Sequence, residues 1–352
     1  MFKQYMYKWL KMGEFDSHKA NIVVMGAGGG GCNTITRLSD MNILGAKTIA
    51  VNTDAKHLDI THSDRRILIG RELTRGLGAG GYPTVGAKAA QESKDEIRKE
   101  LENCDLLFLT CGLGGGTGTG ALPEIAKIAK ENKSIVISAV TFPFHMEKAR
   151  MNKAEDGLMH LREHSDTVIL IENQKLLQLA GSKPLKEAFG VADNIIATMI
   201  KGITETISQP SLVNLDYADV RTIMHSGGVA TIGVGESDTK DRAREAVQQA
   251  LSNPLLDVDY EGATGALIQI IGGEDLTLDE INSIGERVSH FMSPDAMVMW
   301  GARILPEYHG KIQVITIITG VSSPYITGSS QVDRMNKKVQ ESMSDLGIKM
   351  VA

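Results

Sequence analysis

Six short, unbroken apolar runs mark the first half of this chain, and most of them stop at glycine or at small polar residues. Ile22-Val23-Val24-Met25 ends at Gly26, and Thr48-Ile49-Ala50-Val51 at Asn52-Thr53-Asp54. Ile67-Leu68-Ile69 ends at Gly70, and Leu106-Leu107-Phe108-Leu109 at Thr110-Cys111-Gly112. Ile135-Val136-Ile137 leads to Thr141-Phe142-Pro143, and Val168-Ile169-Leu170-Ile171 ends at Glu172-Asn173. Runs that are apolar at every position, not every second one, predict strands covered on both faces. Helical stretches at 86–102, 121–132 and 147–163 separate most of them. The alternation predicts an α/β fold with a doubly wound, mostly parallel sheet. Such sheets bind ligands beyond the carboxyl ends of their strands.

Glycine gathers at those ends. Five glycines fall in 26–31, six in 70–86 and six in 112–120, so 17 of the 37 lie in three short stretches. Collagen or linker glycine would be periodic or continuous. Glycine concentrated at three points of a folded chain means backbone pressed close to something, with N–H groups turned toward it.

The rest of the chain divides cleanly. A long helix over about 185–208 carries Phe189, Ile195, Ile196, Met199, Ile200, Ile203 and Ile207 on more than one side, so it is buried between two domains and ends at Pro210. A second α+β unit follows, with strands near 229–235, 266–271, 296–304 and 311–319 and helices near 239–251 and 277–291. The expected division is an N-terminal helical extension at 1–19, a first domain at 20–184, a central helix at 185–209, a second domain at 210–325 and a tail at 326–352, with one last polar helix at 333–346. The first 19 residues, with Phe2, Met6, Trp9 and Leu10 among three lysines, read as a short docked helix or a frayed end. One short apolar face binds lipid weakly, so direct membrane contact is not expected.

Composition excludes several classes. Apolar residues are 42% and charged residues 23%, as in folded globular chains. A net charge of -6 gives no bulk attraction to nucleic acid. Cys32, Cys104 and Cys111 form neither a disulfide framework nor a zinc-type spacing, and reduced thiols fit a cytoplasmic home. No run reaches the roughly 18 apolar residues that span a bilayer, and the N-terminus lacks a secretory pattern.

Two turns carry the chemistry. Gly28, Gly29, Gly30, Gly31, Cys32 and Asn33 join a strand to a helix, where N–H groups can face a phosphate. The pattern nearly spells a dinucleotide fingerprint, with Asp54 as the ribose-binding acid, and it is not a Walker A loop. Gly114-Gly115-Gly116-Thr117-Gly118-Thr119-Gly120 follows another strand and offers a nest of N–H donors plus hydroxyls. Two phosphate-type loops on neighbouring strand ends suggest a polyphosphate. A nicotinamide or flavin oxidoreductase is the alternative, with His225 its nearest catalytic candidate.

The stretch 114–120, GGGTGTG, resembles the signature of the tubulin/FtsZ superfamily. GAGGGGCN (26–33), NTDAKHL (52–58), GLGAGGYPTVG (76–86), PFHMEKAR (143–150), AFGVADN (188–194) and NLDYADV (214–220) occur in the order found in archaeal FtsZ. The resemblance implies a GTP-binding first domain, a central helix and an activation domain. It also implies Mg²⁺, GTPase activity and head-to-tail assembly into a homopolymer. That polymer would scaffold the cytoplasmic division site with a membrane-tethering adaptor. By this resemblance Gly28 through Asn33 form the first phosphate loop, and Gly78, Ala79 and Gly80 sense the γ-phosphate. Gly115, Gly116, Thr117, Gly118 and Thr119 belong to the signature loop. Glu147 and Arg150 lie near ribose and phosphates, Asn173 contacts the nucleotide, Phe189 stacks on guanine and Asp193 accepts from its donor edge. Asn214, Asp216 and Asp219, in a loop at 211–220, would complete the site of the next subunit. Read alone, the two aspartates fit a solvated turn or a helix N-terminus better than a catalytic pair. Three departures stand out. Cys32 places a thiol where the first loop usually has Gly or Ala. Glu147 and Arg150 are three apart, not four. The long linker and terminal peptide of bacterial relatives are absent.

Overall fold

The computed structural model describes residues 20–209, 211–213, 215–225, 230–252 and 260–321. The expected helices at 1–19 and 333–346, Pro210 and Asn214 lie outside the described residues.

The chain opens with β1 (Ile22–Ala27), α1 (Gly28–Asp40), β2 (Ala46–Asn52), α2 (Ala55–Asp59), β3 (Arg65–Leu68), α3 (Arg71–Thr74), α4 (Pro83–Glu92) and α5 (Lys94–Glu100). It continues with β4 (Leu106–Gly112), α6 (Thr117–Glu131), β5 (Ile135–Phe142), α7 (Lys148–Glu163), β6 (Thr167–Glu172) and α8 (Asn173–Ala180). The six strands form one parallel sheet in the order β3-β2-β1-β4-β5-β6. Every residue of β1 is buried, with Val23 and Met25 in one core and Ile22 and Val24 in the other. That two-sided burial is what the continuous apolar runs require. The chain winds outward from β1 to β3, then returns to β4 beside β1. The sheet's switch point therefore falls between the two strands that end in the densest glycine clusters.

The central helix α9 (Leu185–Ser208) crosses to α10 (Tyr217–His225) and a second domain. That domain contains β7 (Ala230–Ser237), α11 (Arg242–Leu251), β8 (Ala263–Gly272), α12 (Leu278–Ser289), β9 (Met292–Ile304) and β10 (Ile312–Thr319), and its mixed sheet has the order β7-β10-β8-β9. Ile196, Ile200 and Ile203 of α9 pack with Ile22 and Val24 of the first sheet and with Leu267, Ile315 and Ile317 of the second. One continuous core thus spans both domains. Glu205, also on α9, pairs with Arg303 of β9 at 3.1 Å and accepts the Leu44 N–H at 3.4 Å.

The structure revises several sequence boundaries. The expected helix at 86–102 is two helices, broken at Ser93, whose hydroxyl accepts the Gly70 N–H at 3.2 Å. β9 begins at Met292, before the expected 296, because a register irregularity near Ala263 and Gly265 admits extra residues opposite β8. The helices α2, α3, α8 and α10 are too short to carry a readable period.

Helix α4 packs closely on α6. A Cβ on Gly120 would sit 1.9 Å from the Pro83 carbonyl oxygen, whereas one on Gly285 in α12 meets nothing within 4 Å. Gly120→Ala should therefore cost at least about 2 kcal/mol through overpacking. Gly285→Ala should add about 0.5–1 kcal/mol through helix propensity. Urea unfolding of the two variants checks both signs.

Candidate functional site

The turns leaving β1 and β4 press against each other. A Cβ on Gly28 would come within 2.9 Å of the Gly118 nitrogen, and one on Gly30 within 2.9 Å of the Gly112 nitrogen. Chain-on-chain contact requires these glycines. Gly29 and Gly115 are different. A Cβ on Gly29 would meet nothing within 4 Å, and one on Gly115 would meet only the Gly112 oxygen at 3.8 Å. Neither has a positive φ. Both line the same cavity, of about 1400 Å³. With no internal reason to be glycine, these two positions fit close approach by a ligand.

Helices α1 and α6 both begin at this cavity. Neither has a side-chain cap at its start, and neither has an acidic residue in its first turn. The missing caps are not peculiar to this site, since α4 lacks both as well; what the starts of α1 and α6 share is that they open on one cavity. Two helix N-termini with free N–H groups and positive dipole ends favour an anion between them. The site extends from there to a half-apolar end. Phe189 on α9 is 39% exposed and meets Phe144 edge-on at 5.9 Å. Asp193, one turn further on, accepts the Thr34 hydroxyl at 3.3 Å. Burial pushes its carboxyl up to about 6, with Thr34 and Arg37 opposing the shift. Asn173 Oδ1 is buried with no hydrogen-bond partner, although Asn173 lines the cavity. Such an orphan acceptor calls for an external donor.

Glu147 and Arg150 also line the cavity and pair with each other at 2.6 Å. Glu147 stands immediately before α7 and Arg150 in its first turn, and the three-residue spacing lets them meet. Other expected residues sit behind the surface. Cys32 is fully buried and turned toward β2, near the Val51 oxygen and Asn52, and burial pushes its thiol up to about 11. The thiol does not border the cavity, so Cys32 is not a contact residue of the turn. Gly31 is packed beneath the turn against the Thr110 oxygen, and Thr119 is buried against Gly157. Gly78, Ala79 and Gly80 form a loop behind Gly116, whose added Cβ would lie 2.9 Å from the Ala79 Cβ. Asp54 does not line the cavity; it caps α2 by accepting the His57 N–H at 3.2 Å. The His225 side chain lies outside the described residues. Sequence reading missed Arg37, His57, Thr141 and Gln174, all cavity residues. Arg37 follows Asn33 by four, the one signal that would have found it.

The acidic pair lies elsewhere. The Asp216 N–H donates to Asp219 at 2.9 Å, and the Asp219 N–H donates back to Asp216 at 2.9 Å. Together they make a capping box at the start of α10. The neighbouring Tyr217 hydroxyl donates to the Asp105 oxygen at 3.0 Å, at the beginning of β4. The glycine cavity lies at the other end of that seven-residue strand, roughly 20 Å away at the usual rise.

Residues 21–181 match the family model for the GTPase domain of the Tubulin/FtsZ family, and residues 228–322 match the FtsZ family C-terminal domain. Cell division protein FtsZ 2 of Methanocaldococcus jannaschii is 54% identical over 330 residues, covering 93% of this chain and 87% of that protein. Cell division protein FtsZ 1 of Pyrococcus furiosus is 54% identical over 310 residues, covering 88% and 83%. The chain belongs to the FtsZ family. A solved FtsZ dimer from M. jannaschii has a TM-score of 0.82 at 48% identity, covering 90% of this chain and 92% of that one. The GDP-bound CetZ1 monomer from Haloferax volcanii, at 21% identity and a TM-score of 0.78, shares the fold, with 90% of this chain and 99% of that one covered. In this chain the GTPase-domain match holds both glycine turns, and the acidic pair falls between the two matched segments.

Asp193 supplies a test of the site's electrostatics. Its folded value lies above the ordinary 3.8, so ionisation costs stability as pH rises from about 4 to about 6, and the full cost remains above that. Two units correspond to at most about 3 kcal/mol. Asp193→Asn should stabilise the nucleotide-free protein by about 1–2 kcal/mol at neutral pH. It should also remove the fall in stability across that window, as read by urea unfolding against pH.

Proposed function

We propose that this chain binds GTP in the cavity between its glycine turns, hydrolyses it where two molecules meet head to tail, and so forms filaments that scaffold cell division. The observation that carries the reading is the separation of the two halves of the site. The anion-binding cavity sits at the carboxyl ends of the strands, and the acidic pair sits at the opposite pole of the same sheet. Residues that cannot meet within one molecule meet when molecules stack pole to pole. Such a contact is heterologous and builds open filaments, not closed dimers.

In this reading the phosphates lie against the first turns of α1 and α6, among Gly28, Gly29, Gly30, Asn33, Gly115, Gly116, Thr117 and Gly118. Gly78, Ala79 and Gly80 respond to the terminal phosphate through their contact with Gly116. Gly31, Cys32 and Thr119 support these turns from behind. Glu147 and Arg150 serve the ribose and phosphates. Phe189 stacks on the base, and Asp193 accepts from the two donors on guanine's edge, where adenine offers an acceptor instead. Asn173 Oδ1 gains the donor it lacks. From the next subunit, Asp216 and Asp219 orient and polarise the attacking water, with Asn214 beside them. No lysine stands in the phosphate turns, so backbone N–H groups carry much of the charge stabilisation. Among the described residues no three His, Cys, Asp or Glu side chains gather as a metal cage. Mg²⁺ held through the phosphates would neutralise their oxygens. The filament would work at the cytoplasmic division site through a membrane-tethering adaptor.

GTP turnover per molecule should rise steeply with protein concentration, measured as phosphate release across a dilution series. Asp216→Asn keeps an N-cap acceptor on α10 but removes a charge. It should bind GTP and assemble, yet hydrolyse at least about a hundredfold more slowly. A constant rate per molecule on dilution would sink the shared site.

A further inference from the structure

The cavity contains a polar side chain that the reading above leaves unused. His57, on α2, lines the cavity with the phosphate turns. Its position is fixed by a chain of hydrogen bonds that begins in the signature turn. The hydroxyls of Thr117 and Thr53 lie 2.7 Å apart, joining the first residue of α6 to the end of β2. Next to Thr53, Asn52 accepts the Thr53 and Asp54 N–H groups with Oδ1, at 2.9 and 3.2 Å. Those two bonds settle the amide's orientation, because the reverse would set N–H against N–H. Asn52 Nδ2 then faces His57 Nδ1 at 3.4 Å and Cys32 Sγ at 3.7 Å. An amide NH₂ only donates, so His57 Nδ1 must accept and the ring proton must sit on Nε2. Among the described residues that Nε2–H has no protein partner.

We propose that His57 is a ligand for the terminal phosphate of the bound nucleotide, donating its Nε2–H to an anionic oxygen and so favouring the triphosphate over the diphosphate. The inference rests on the GTP reading of the cavity. A neutral donor is the useful form here. It adds a hydrogen bond near the phosphates without a fixed positive charge that would hold the product. The Thr117–Thr53 link ties the segment that carries His57 to the signature turn.

Binding measured by titration calorimetry, below the concentration of assembly, tests this with two probes: GDP and the β,γ-imido analogue of GTP. His57→Ala should lose about tenfold or more in affinity for the triphosphate analogue and remain within about twofold of wild type for GDP, which also reports that the fold is intact. His57→Gln, whose amide restores a donor, should regain most of the loss. Nitrogen-15 spectra of the labelled protein should show the Nε2–H tautomer, with the Nε2 signal moving on binding the analogue but not GDP. Equal losses for both nucleotides, or no loss for either, would overturn the assignment. So would unchanged binding with impaired assembly, which would give His57 to a neighbouring molecule. Failure of the wild-type protein to bind either nucleotide would instead remove the GTP reading itself.

Discussion

The contact of two backbone turns at the switch point of the parallel sheet governs much of this structure. Gly28 lies against Gly118 and Gly30 against Gly112, closer than side chains would allow. That approach brings two helix N-termini to one cavity and leaves both uncapped. It also explains why glycine is spent so unevenly along the chain. Some glycines permit the turns to touch, and two others, Gly29 and Gly115, keep the outward surface bare. The distinction comes from asking what a methyl group would strike at each position, and it separates architecture from ligand space inside a single motif.

The second constraint is directional. In a parallel sheet all strands point the same way, so the two ends of the sheet are chemically different surfaces. One end holds the donors and dipoles of α1 and α6. The other holds Asp105, Tyr217 and, through α10, the Asp216–Asp219 pair. α9 joins both domains in one core, with Ile200 and Ile203 in the same cluster as Ile22 of the first sheet and Ile315 of the second. The two poles lie at opposite ends of one sheet, so the sheet itself sets the distance between them.

Much of this was legible in the residues. The strands of the first domain follow from continuous apolar runs, and the GGGTGTG stretch announced itself by composition. The limits are physical. The break at Ser93 satisfies the N–H of Gly70, a tertiary partner that local pattern does not reveal. Cys32 reads as a cavity residue by its place in the motif, yet helical phase turns it into the core against Val51 and Asn52. Thr119 is hidden for the same reason. Asp216 and Asp219 show the opposite case. The capping reading and the functional reading describe one geometry, since reciprocal bonds to the backbone hold both carboxylates at the surface in a fixed arrangement. A cap made of two acids at the first turn is a stable way to display charge.

The unliganded site also carries costs that a ligand would relieve. Asn173 Oδ1 is buried without a donor, Asp193 is held above its ordinary titration range by burial, and two helix starts lack caps. Each is unfavourable in isolation, and an orphaned buried acceptor alone costs on the order of 1–3 kcal/mol. A fold tolerates such groups only where the surrounding core over-determines them, and here the buried strands β1 and β4 do so. A bound anion with a donor edge would reverse all three costs together. Ligand affinity and fold stability are therefore drawn from the same residues, and substitutions that stabilise the empty protein at these positions weaken the site they belong to.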